Sequence, residues 1–330
     1  MRRSSLFVVF FLLGPLAGAT AWAQHEHHGM RQHKTAVGVK LNVQDDAAAQ
    51  VLTVRLGPLD LPAHSDHMAV AQARDVFLSI PFDGWIIAYH PRLVDAAGQV
   101  LPGRLLHHVA FWNTERPDFL CPNKQEHIFG AGGEMNDWPA VAGVGYRVAK
   151  GERIRINTMF HNPTATSHPK TYLEVSMEYR RLSPNAPQLK NVYPTWFDVQ
   201  QCGNSGYDLT PGKNVTTGEF TLGYAGMLLG VGGHLHDYGR HLVLRNTTRK
   251  EDIAALDPKL DPDGRLLAMP IVSFAERGGY RLNQGEVVKV TAVYDNPTGK
   301  LLTEGAMGII VGYFLPDNNT QMAALKRNKK

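Results

Sequence analysis

The amino-acid sequence predicts an all-β protein made of two antiparallel β-domains in tandem, and three observations support this prediction. Short segments in which apolar and polar residues alternate recur along the chain, each bounded by Gly, Pro, Asn or Asp. This pattern is typical of antiparallel strands in sandwiches and barrels. The periodicity of long amphipathic helices is missing from the sequence. A stretch rich in Pro, Asn and Gly between Leu182 and Gly212 divides the alternating segments into two groups.

Both groups contribute predicted strands. Side chains alternate between the two faces of a strand, so an alternating segment indicates a strand with one buried face. The predicted strands are Val51 to Leu56, Val76 to Pro81, Trp85 to Tyr89, Leu105 to Trp112, Arg153 to Phe160, Tyr172 to Tyr179, Met227 to His236, His241 to Arg245, Glu286 to Tyr294 and Met307 to Phe314.

Residues 1–23 have the pattern of a secretory signal peptide. Arg2 and Arg3 form a basic start, residues 6–13 are an uninterrupted apolar run, and residues 21–23 form a small-x-small cleavage site. The apolar run is too short to cross a bilayer, and no later stretch approaches about 20 apolar residues. We therefore predict a secreted protein, periplasmic or extracellular, without a membrane span. Its mature chain would begin with a flexible, His-rich segment at residues 24–36.

Charge and cysteine content exclude several classes of protein. The formal net charge of +4 falls to +2 without Arg2 and Arg3, so the mature chain has no excess of charge that would indicate a nucleic-acid partner. Two cysteines in 330 residues are too few for a dense disulfide framework or a four-cysteine metal site. Cys121 and Cys202 could form one disulfide bond or stay unpaired. Any metal site must therefore use other ligands, and the 15 histidines are the obvious candidates.

Two histidine pairs have spacings that bear on metal binding. His107 and His108 are adjacent, and adjacent side chains of a regular strand point to opposite faces, so both could bind one ion only at a bulge or twist. One buried and one exposed histidine is the alternative there. His234 and His236 are two residues apart and share one strand face, which is how β-proteins present two imidazoles to copper or zinc. A purely structural role is the alternative for this pair.

Methionines add a softer candidate ligand. Met159 stands two residues before His161, and Met307 follows a small turn-forming segment near the end of the chain. A thioether favours Cu(I) over zinc or magnesium, so histidines and a methionine on one ion would indicate redox-active copper. Packing in the hydrophobic core is the alternative for each methionine.

Several short motifs occur in the order of a known family. They are His107-His108-Val109-Ala110-Phe111, His127-Ile128-Phe129-Gly130-Ala131-Gly132-Gly133, Gly143-Val144-Gly145-Tyr146-Arg147-Val148, His161-Asn162-Pro163, His234-Leu235-His236 with Gly239-Arg240, Leu282 to Val288, Tyr294-Asp295-Asn296-Pro297, and Met307. In this order and spacing, the chain from about Ile80 to Pro316 resembles the copper type II ascorbate-dependent monooxygenases, the family of dopamine β-monooxygenase and peptidylglycine α-hydroxylating monooxygenase.

The resemblance implies a fold, a cofactor and a reaction. It implies two jelly-roll-like β-sandwich domains, at residues 37–205 and 206–317, followed by a basic tail at residues 318–330. Each domain would bind one copper ion, so two ions per chain are expected, facing each other across a solvent-filled cleft. The implied activity is that of a monooxygenase, which hydroxylates a C–H bond of a small or peptide-like substrate with O2 and an ascorbate-type reductant.

The resemblance also implies the copper ligands. His107, His108 and a third ligand near residue 160 would hold the electron-transfer copper of the first domain. His234, His236 and Met307 would hold the second copper, where O2 binds and the substrate is hydroxylated. These three residues are therefore the predicted catalytic group.

The third ligand of the first copper has two candidates. Aligning Asn162-Pro163 with the same dipeptide of the family without a gap places Met159 at the ligand position. A slip of two residues places His161 there instead, on the same strand face. We predict His161, because imidazole suits a copper that cycles between two oxidation states, and Met159 remains the alternative.

One departure from the family bears on the substrate. Gly232 stands where the peptidylglycine enzyme has the arginine that binds the peptide carboxylate, so peptide amidation is not predicted. Two further classes of function remain open at this point. One is a non-catalytic, secreted copper-binding or copper-handling protein on the same scaffold. The other is a carbohydrate-related β-sandwich protein in which the histidines are structural or bind zinc.

Overall fold

A computed structural model describes residues 34–185 and 187–325, which all belong to one compact unit. The predicted signal peptide, most of the His-rich N-terminal segment and the last five residues of the basic tail lie outside the described residues. Within the described residues, no helix is both long enough and apolar enough to cross a membrane.

Strands β1 to β11 make up what we call the first half of the described chain. A single turn of 3-10 helix, Gly103–Leu105, precedes β6. The strands are β1 Lys40–Asp46, β2 Val51–Leu61, β3 Val76–Ser79, β4 Gly84–Val94, β5 Val100–Leu101, β6 Leu106–Pro117, β7 Gln125–Gly132, β8 Val144–Val148, β9 Arg153–Phe160, β10 His168–Arg181 and β11 Lys190–Asn191.

The second half contains strands β12 to β24 and a short C-terminal helix, α1. A second 3-10 turn, Ala275–Arg277, lies between β20 and β21. The elements are β12 Tyr193–Asp198, β13 Tyr207–Leu209, β14 Gly212–Thr221, β15 Gly226–Leu235, β16 Gly239–Asn246, β17 Glu251–Leu256, β18 Lys259–Leu260, β19 Leu266–Ala268, β20 Ile271–Ser273, β21 Tyr280–Leu282, β22 Val287–Asn296, β23 Leu302–Ala306, β24 Gly308–Pro316 and α1 Asn319–Ala323.

Each half is a sandwich of two sheets around its own hydrophobic core. In the first half, a sheet in the order β1-β2-β10-β4-β8-β11 faces a sheet in the order β3-β9-β6-β7. Apolar side chains of both sheets, such as Val175 and Phe111, form one buried cluster. In the second half, β12-β24-β15-β20 faces β14-β22-β16-β17, and a second buried cluster includes Phe314 and Val290 from the two sheets. The predicted all-β fold is confirmed.

A buried asparagine closes an equivalent turn in each half. The side-chain oxygen of Asn162 accepts hydrogen bonds from the N–H of Thr164 at 3.0 Å and its hydroxyl at 2.7 Å. Asn296 accepts the same two bonds from Thr298, at 3.1 and 2.7 Å. Both asparagines are fully buried, and a buried amide must satisfy its polar atoms internally. The Asn-Pro dipeptides that carry part of the family resemblance therefore have a structural role.

A disulfide bond joins the two halves. Cys121, from the turn before β7, bonds to Cys202, which follows β12. Strand β12 pairs with β24, although it precedes the predicted domain boundary between residues 205 and 206. That boundary stays a prediction. Helix α1 packs Met322, which is 2% exposed, into the second core, so the chain stays ordered past residue 318.

Candidate metal centre

A bulge in β6 turns two adjacent histidines toward each other. Leu106 pairs with Phe160, and the next pair along the ladder is His108 with Met159, so His107 is the extra residue. A bulged strand loses the regular alternation of its side chains. The ring centroids of His107 and His108 are 5.3 Å apart, and their Nδ1 atoms are 3.2 Å apart. The backbone thus has the distortion that two neighbouring ligands of one ion require.

Two further imidazoles of the first half lie beside His107. His161 follows the last residue of β9, and its ring centroid is 5.1 Å from that of His107. The His67 ring centroid is 5.0 Å from that of His107. The buried side chain of Gln72 fixes the loop that carries His67, because its amide donates to the carbonyl oxygens of His67 at 2.9 Å and Phe160 at 2.8 Å.

The second half contributes the histidines at the end of β15. His234 and His236 share one face, as their spacing predicts, and their ring centroids are 5.3 Å apart. The ring of His236 reaches across to His107, with centroids 4.3 Å apart. The predicted ligands of the two halves therefore lie against one another and form one group. The solvent-filled cleft that the family resemblance implies does not separate them in this structure.

We call this group the histidine cluster. It consists of His67, His107, His108, His161, His234 and His236.

Three members of the histidine cluster stand within reach of a single ion. The ligand atoms of His107, His108 and His236 all lie within 4.8 Å of one another, and no other group of His, Cys, Asp or Glu in residues 34–185 and 187–325 has this geometry. His236 is 8% exposed and His234 is 9% exposed. Both ring nitrogens of His236 and the Nε2 atom of His234 are buried without a hydrogen-bond partner. Buried polar atoms are normally paired, so this donor set fits a metal ion.

Burial keeps these rings in the form that binds metals. It lowers the pKa of His107 and of His236 well below the usual value, and the positive charge that neighbouring imidazoles would carry lowers both further. Burial also lowers the pKa of His161 to about 4. The three rings are therefore neutral at pH 7, and a neutral imidazole has a lone pair for a metal ion. Several imidazoles on one ion suit copper or zinc.

The carboxylate of Glu134 contacts the Nδ1 edge of the His234 ring. Oε1 and Oε2 of Glu134 lie 3.1 and 3.2 Å from Nδ1 of His234. Glu134 comes from the turn after β7, so a residue of the first half contacts a predicted ligand of the second. Glycine at position 132 makes room for this contact, because a Cβ atom there would lie 2.4 Å from Cε1 of His234.

The hydroxyl group of Tyr294 links the backbone of His236 to that of Met307. It accepts hydrogen bonds from the N–H of His236 at 2.9 Å and the N–H of Met307 at 3.1 Å, and it donates to the carbonyl oxygen of Met307. Tyr294 is fully buried. Two predicted ligands are thus fixed relative to one another through one side chain. Ligation by the sulfur of Met307 stays a prediction, as does the choice between Met159 and His161.

Sequence reasoning missed His67, Glu134 and the role of Tyr294. His67 and Glu134 lie in loops, where no periodic pattern indicates the direction of a side chain. His64-Ser65-Asp66-His67 contains a further close pair of histidines, and Glu134 directly follows the Gly132-Gly133 motif. These two sequence features could have indicated that His67 and Glu134 belong to the site.

One histidine of the family resemblance lies in a different environment. The ring of His127 stacks on that of Trp196 with centroids 4.0 Å apart, and it also contacts Trp112. Its Nδ1 atom lies 3.3 Å from the carboxylate of Asp118. This histidine therefore packs among aromatic rings near the disulfide bond, and it is not a member of the histidine cluster.

Two relatives in sequence are named as probable copper-dependent oxygenases. The one from Phoma sp. is 25% identical over 233 residues, which cover 64% of this chain and 58% of the relative. The one from Cochliobolus lunatus is 23% identical over 237 residues, which cover 64% of this chain and 72% of the relative. The match thus spans less than two thirds of the Phoma protein. Neither name refers to the dopamine β-monooxygenase family, so that narrower resemblance stays a prediction.

Other comparisons give no further assignment. No model of a known protein family matches the sequence. Among solved structures, the major capsid protein of bacteriophage PM2 is similar over 80% of this chain and 98% of the capsid protein, with 10% identity and a TM-score of 0.33. The major capsid protein of mavirus is similar over 95% of this chain and 93% of its own, with 9% identity and a TM-score of 0.24. Both TM-scores are below 0.5, so neither similarity is evidence for the fold or the function.

Proposed function

We propose that this protein is a copper-dependent oxygenase that binds copper at the histidine cluster. The observation that carries the proposal is the set of three buried, unpartnered ring nitrogens of His234 and His236, of which His236 lies within 4.8 Å of ligand atoms of His107 and His108 in the other half. Imidazole nitrogen is a preferred ligand of copper. The names of the two relatives support copper over zinc, and they support oxygenase chemistry over simple storage of the metal.

The ligands divide into two sets in this proposal. His107, His108 and His161 would hold a copper ion for electron transfer, and His234, His236 and Met307 would hold a copper ion for reaction with O2. The thioether of Met307 stabilises Cu(I), the oxidation state that reacts with O2. Tyr294 supports the second set, because its hydroxyl group fixes the backbone of two of its members.

The proposed reaction is the hydroxylation of a C–H bond in a small or peptide-like substrate. Copper bound there would supply the activation of O2, so that one oxygen atom would enter the C–H bond and the other would leave as water, with two electrons and two protons from a reductant of the ascorbate type. The protein itself holds neutral imidazoles in a site that is shielded from solvent. Burial of His236 and His107 does this, because it keeps protons off their rings.

We also propose that the protein is exported to the periplasm or the extracellular space. The disulfide bond between Cys121 and Cys202 supports this location, since disulfide bonds persist in oxidising compartments and are rare in the cytosol. The signal-peptide pattern at residues 1–23 is the second support. Determination of the N-terminal residue of the exported protein tests both statements.

The first experiment is a measurement of copper per chain in the purified, exported protein. We expect two copper ions per chain in the wild type and in Met159→Ala. We expect about one copper ion per chain in His161→Ala and in a His234→Ala, His236→Ala double variant. A wild-type value of one would instead support a single ion shared by His107, His108 and His236.

A second measurement separates an enzyme from a copper-binding protein. We expect O2 uptake by the copper-loaded protein with ascorbate, and loss of that uptake in the double variant. Copper binding without O2 uptake would leave a copper-binding protein on this scaffold, and a wild-type protein that binds no copper would refute the proposal.

A further inference from the structure

The carboxylate of Glu134 is enclosed at the contact between the two halves. Its side chain is 2% exposed. The Oε1 atom accepts a hydrogen bond from the N–H of Gly132 at 2.8 Å, and both oxygens face Nδ1 of His234. In the described part of the chain, Glu134 pairs with His234 and with no Lys or Arg side chain. A buried carboxylate without a cation nearby is energetically costly.

A positive charge that balances the Glu134 carboxylate could be bound at the opposite edge of the His234 ring. An imidazole that donates Nδ1–H to a carboxylate presents its Nε2 lone pair on the opposite edge. Nε2 of His234 is buried and has no hydrogen-bond partner. A cation bound at this atom would balance the charge of Glu134 through the ring. Pairs of this kind, a carboxylate behind a metal-binding histidine, fix the orientation of the ring and make it a stronger ligand.

The strand that precedes Glu134 fixes the same ring by shape. Gly132 lies opposite His108 in the β6–β7 ladder, and a Cβ atom at position 132 would lie 2.4 Å from Cε1 and 2.7 Å from Nδ1 of His234. The imidazole therefore packs directly on the backbone of the first half. The backbone and the carboxylate that contact this ring both come from the half of the chain that does not contain it.

We propose that Glu134 is a positioning residue for the copper ion bound by His234, so that the second-half site reaches full copper affinity only when the first half is docked against it. This inference rests on the proposed function, and it adds a coupling between the two halves. The negative charge of Glu134 also favours Cu(II) over Cu(I) at His234, because the more highly charged ion gains more from a nearby carboxylate. Glu134 would thus affect both the affinity and the reduction potential of this copper.

The test compares Glu134→Gln and Glu134→Ala with wild type in the full-length chain. Gln keeps an oxygen that can accept the Nδ1–H bond but removes the charge, whereas Ala removes both. Glu178→Gln is the matched control, because Glu178 contacts Nε2 of His90 at 3.2 Å outside the histidine cluster. The measurements are Cu(II) affinity by competition with a chelator, the reduction potential of the bound copper, and thermal unfolding of the metal-free protein.

We expect Glu134→Ala to lower the affinity for one of the copper ions about 10- to 100-fold, as the loss of such a partner typically does. We expect Glu134→Gln to raise the reduction potential of that ion while it leaves the unfolding of the metal-free protein close to wild type, an effect that a purely structural role would not produce. The Glu178→Gln control should match wild type in both respects.

Copper affinity and potential equal to wild type in both Glu134 variants would overturn the inference and leave the proposed function intact. A wild-type protein that binds no copper would overturn both.

Discussion

A methyl group added at position 132 tests whether the backbone of β7 holds the His234 ring. In Gly132→Ala, the new Cβ atom would lie 2.4 Å from Cε1 and 2.7 Å from Nδ1 of His234. Carbon atoms in contact are normally about 3.5–4.0 Å apart, so the ring must retreat by about 1 Å. Metal–ligand distances tolerate only about 0.2 Å. We therefore expect His234 to be lost as a ligand.

The magnitude follows from two separate effects. Overpacking of a well-packed site costs about 1–3 kcal/mol of stability, which thermal unfolding of the metal-free protein measures. Misplacement of a ligand should weaken copper binding at least as much as loss of its supporting partner, about 10- to 100-fold. A titration with copper against a competing chelator measures this second effect on the full-length protein.

Gly130→Ala is the matched control on the same face of the same strand. Its Cβ atom would lie 2.9 Å from two ring carbons of Trp196, so it also overpacks the structure but away from the histidine cluster. We expect it to lower stability and leave copper affinity unchanged. Equal copper affinity in Gly132→Ala and wild type would refute the reasoning, and so would an equal loss of copper affinity in the two variants.

Four further predictions follow from other contacts. Tyr294→Phe should lower the free energy of unfolding by about 1–3 kcal/mol, because it leaves the buried N–H of His236 unpaired, and chemical denaturation measures the loss. Burial raises the pKa of Glu126 to about 7, so the folded state binds the proton more tightly than the unfolded chain does. Stability should therefore fall as pH rises from about 4.5 to about 7, by about 3 kcal/mol at most, and a Glu126→Gln variant should lack this slope. Replacement of Cys121 and Cys202 by serine should cost about 2–5 kcal/mol, visible as a lower melting temperature. Saturating copper should raise the melting temperature of wild type and a chelator should reverse it, since a ligand at 100 times its Kd adds about 2.7 kcal/mol.

The strands with one buried face could be predicted from the sequence. Strand β22, Val287–Asn296, alternates strictly between partly exposed and buried residues, and its alternation was visible in the sequence. Two strands that lack this contrast were missed, although β15, which is also buried along nearly its whole length, was predicted. Strand β1 is exposed along nearly its whole length, and β7 is buried along nearly its whole length. Strand β7 shows no period of two because it lacks a solvent face, and the short alternation of Leu41 and Val43 in β1 is not matched by a buried face.

The histidine spacings predicted local geometry but not how the halves meet. The pair His234 and His236 required only one regular strand, and the adjacent pair His107 and His108 required a bulge, which the structure contains. Contact between His107 and His236 depends on how two sandwiches dock, and no local pattern encodes that. Glu134 was missed for the same reason, since its partner lies 100 residues further along the chain.

The glycine at the position of the family's substrate arginine has a physical explanation in the packing of the two halves. A Cβ atom at Gly232 would lie 2.8 Å from Cζ2 of Trp138, a residue of the first half that is 6% exposed. The indole ring of Trp138 also packs edge-on against Tyr313, with centroids 5.5 Å apart. A long cationic side chain therefore has no room at position 232 while the halves are docked. The packing of the two halves that brings His107 and His236 together therefore also closes the space beside position 232.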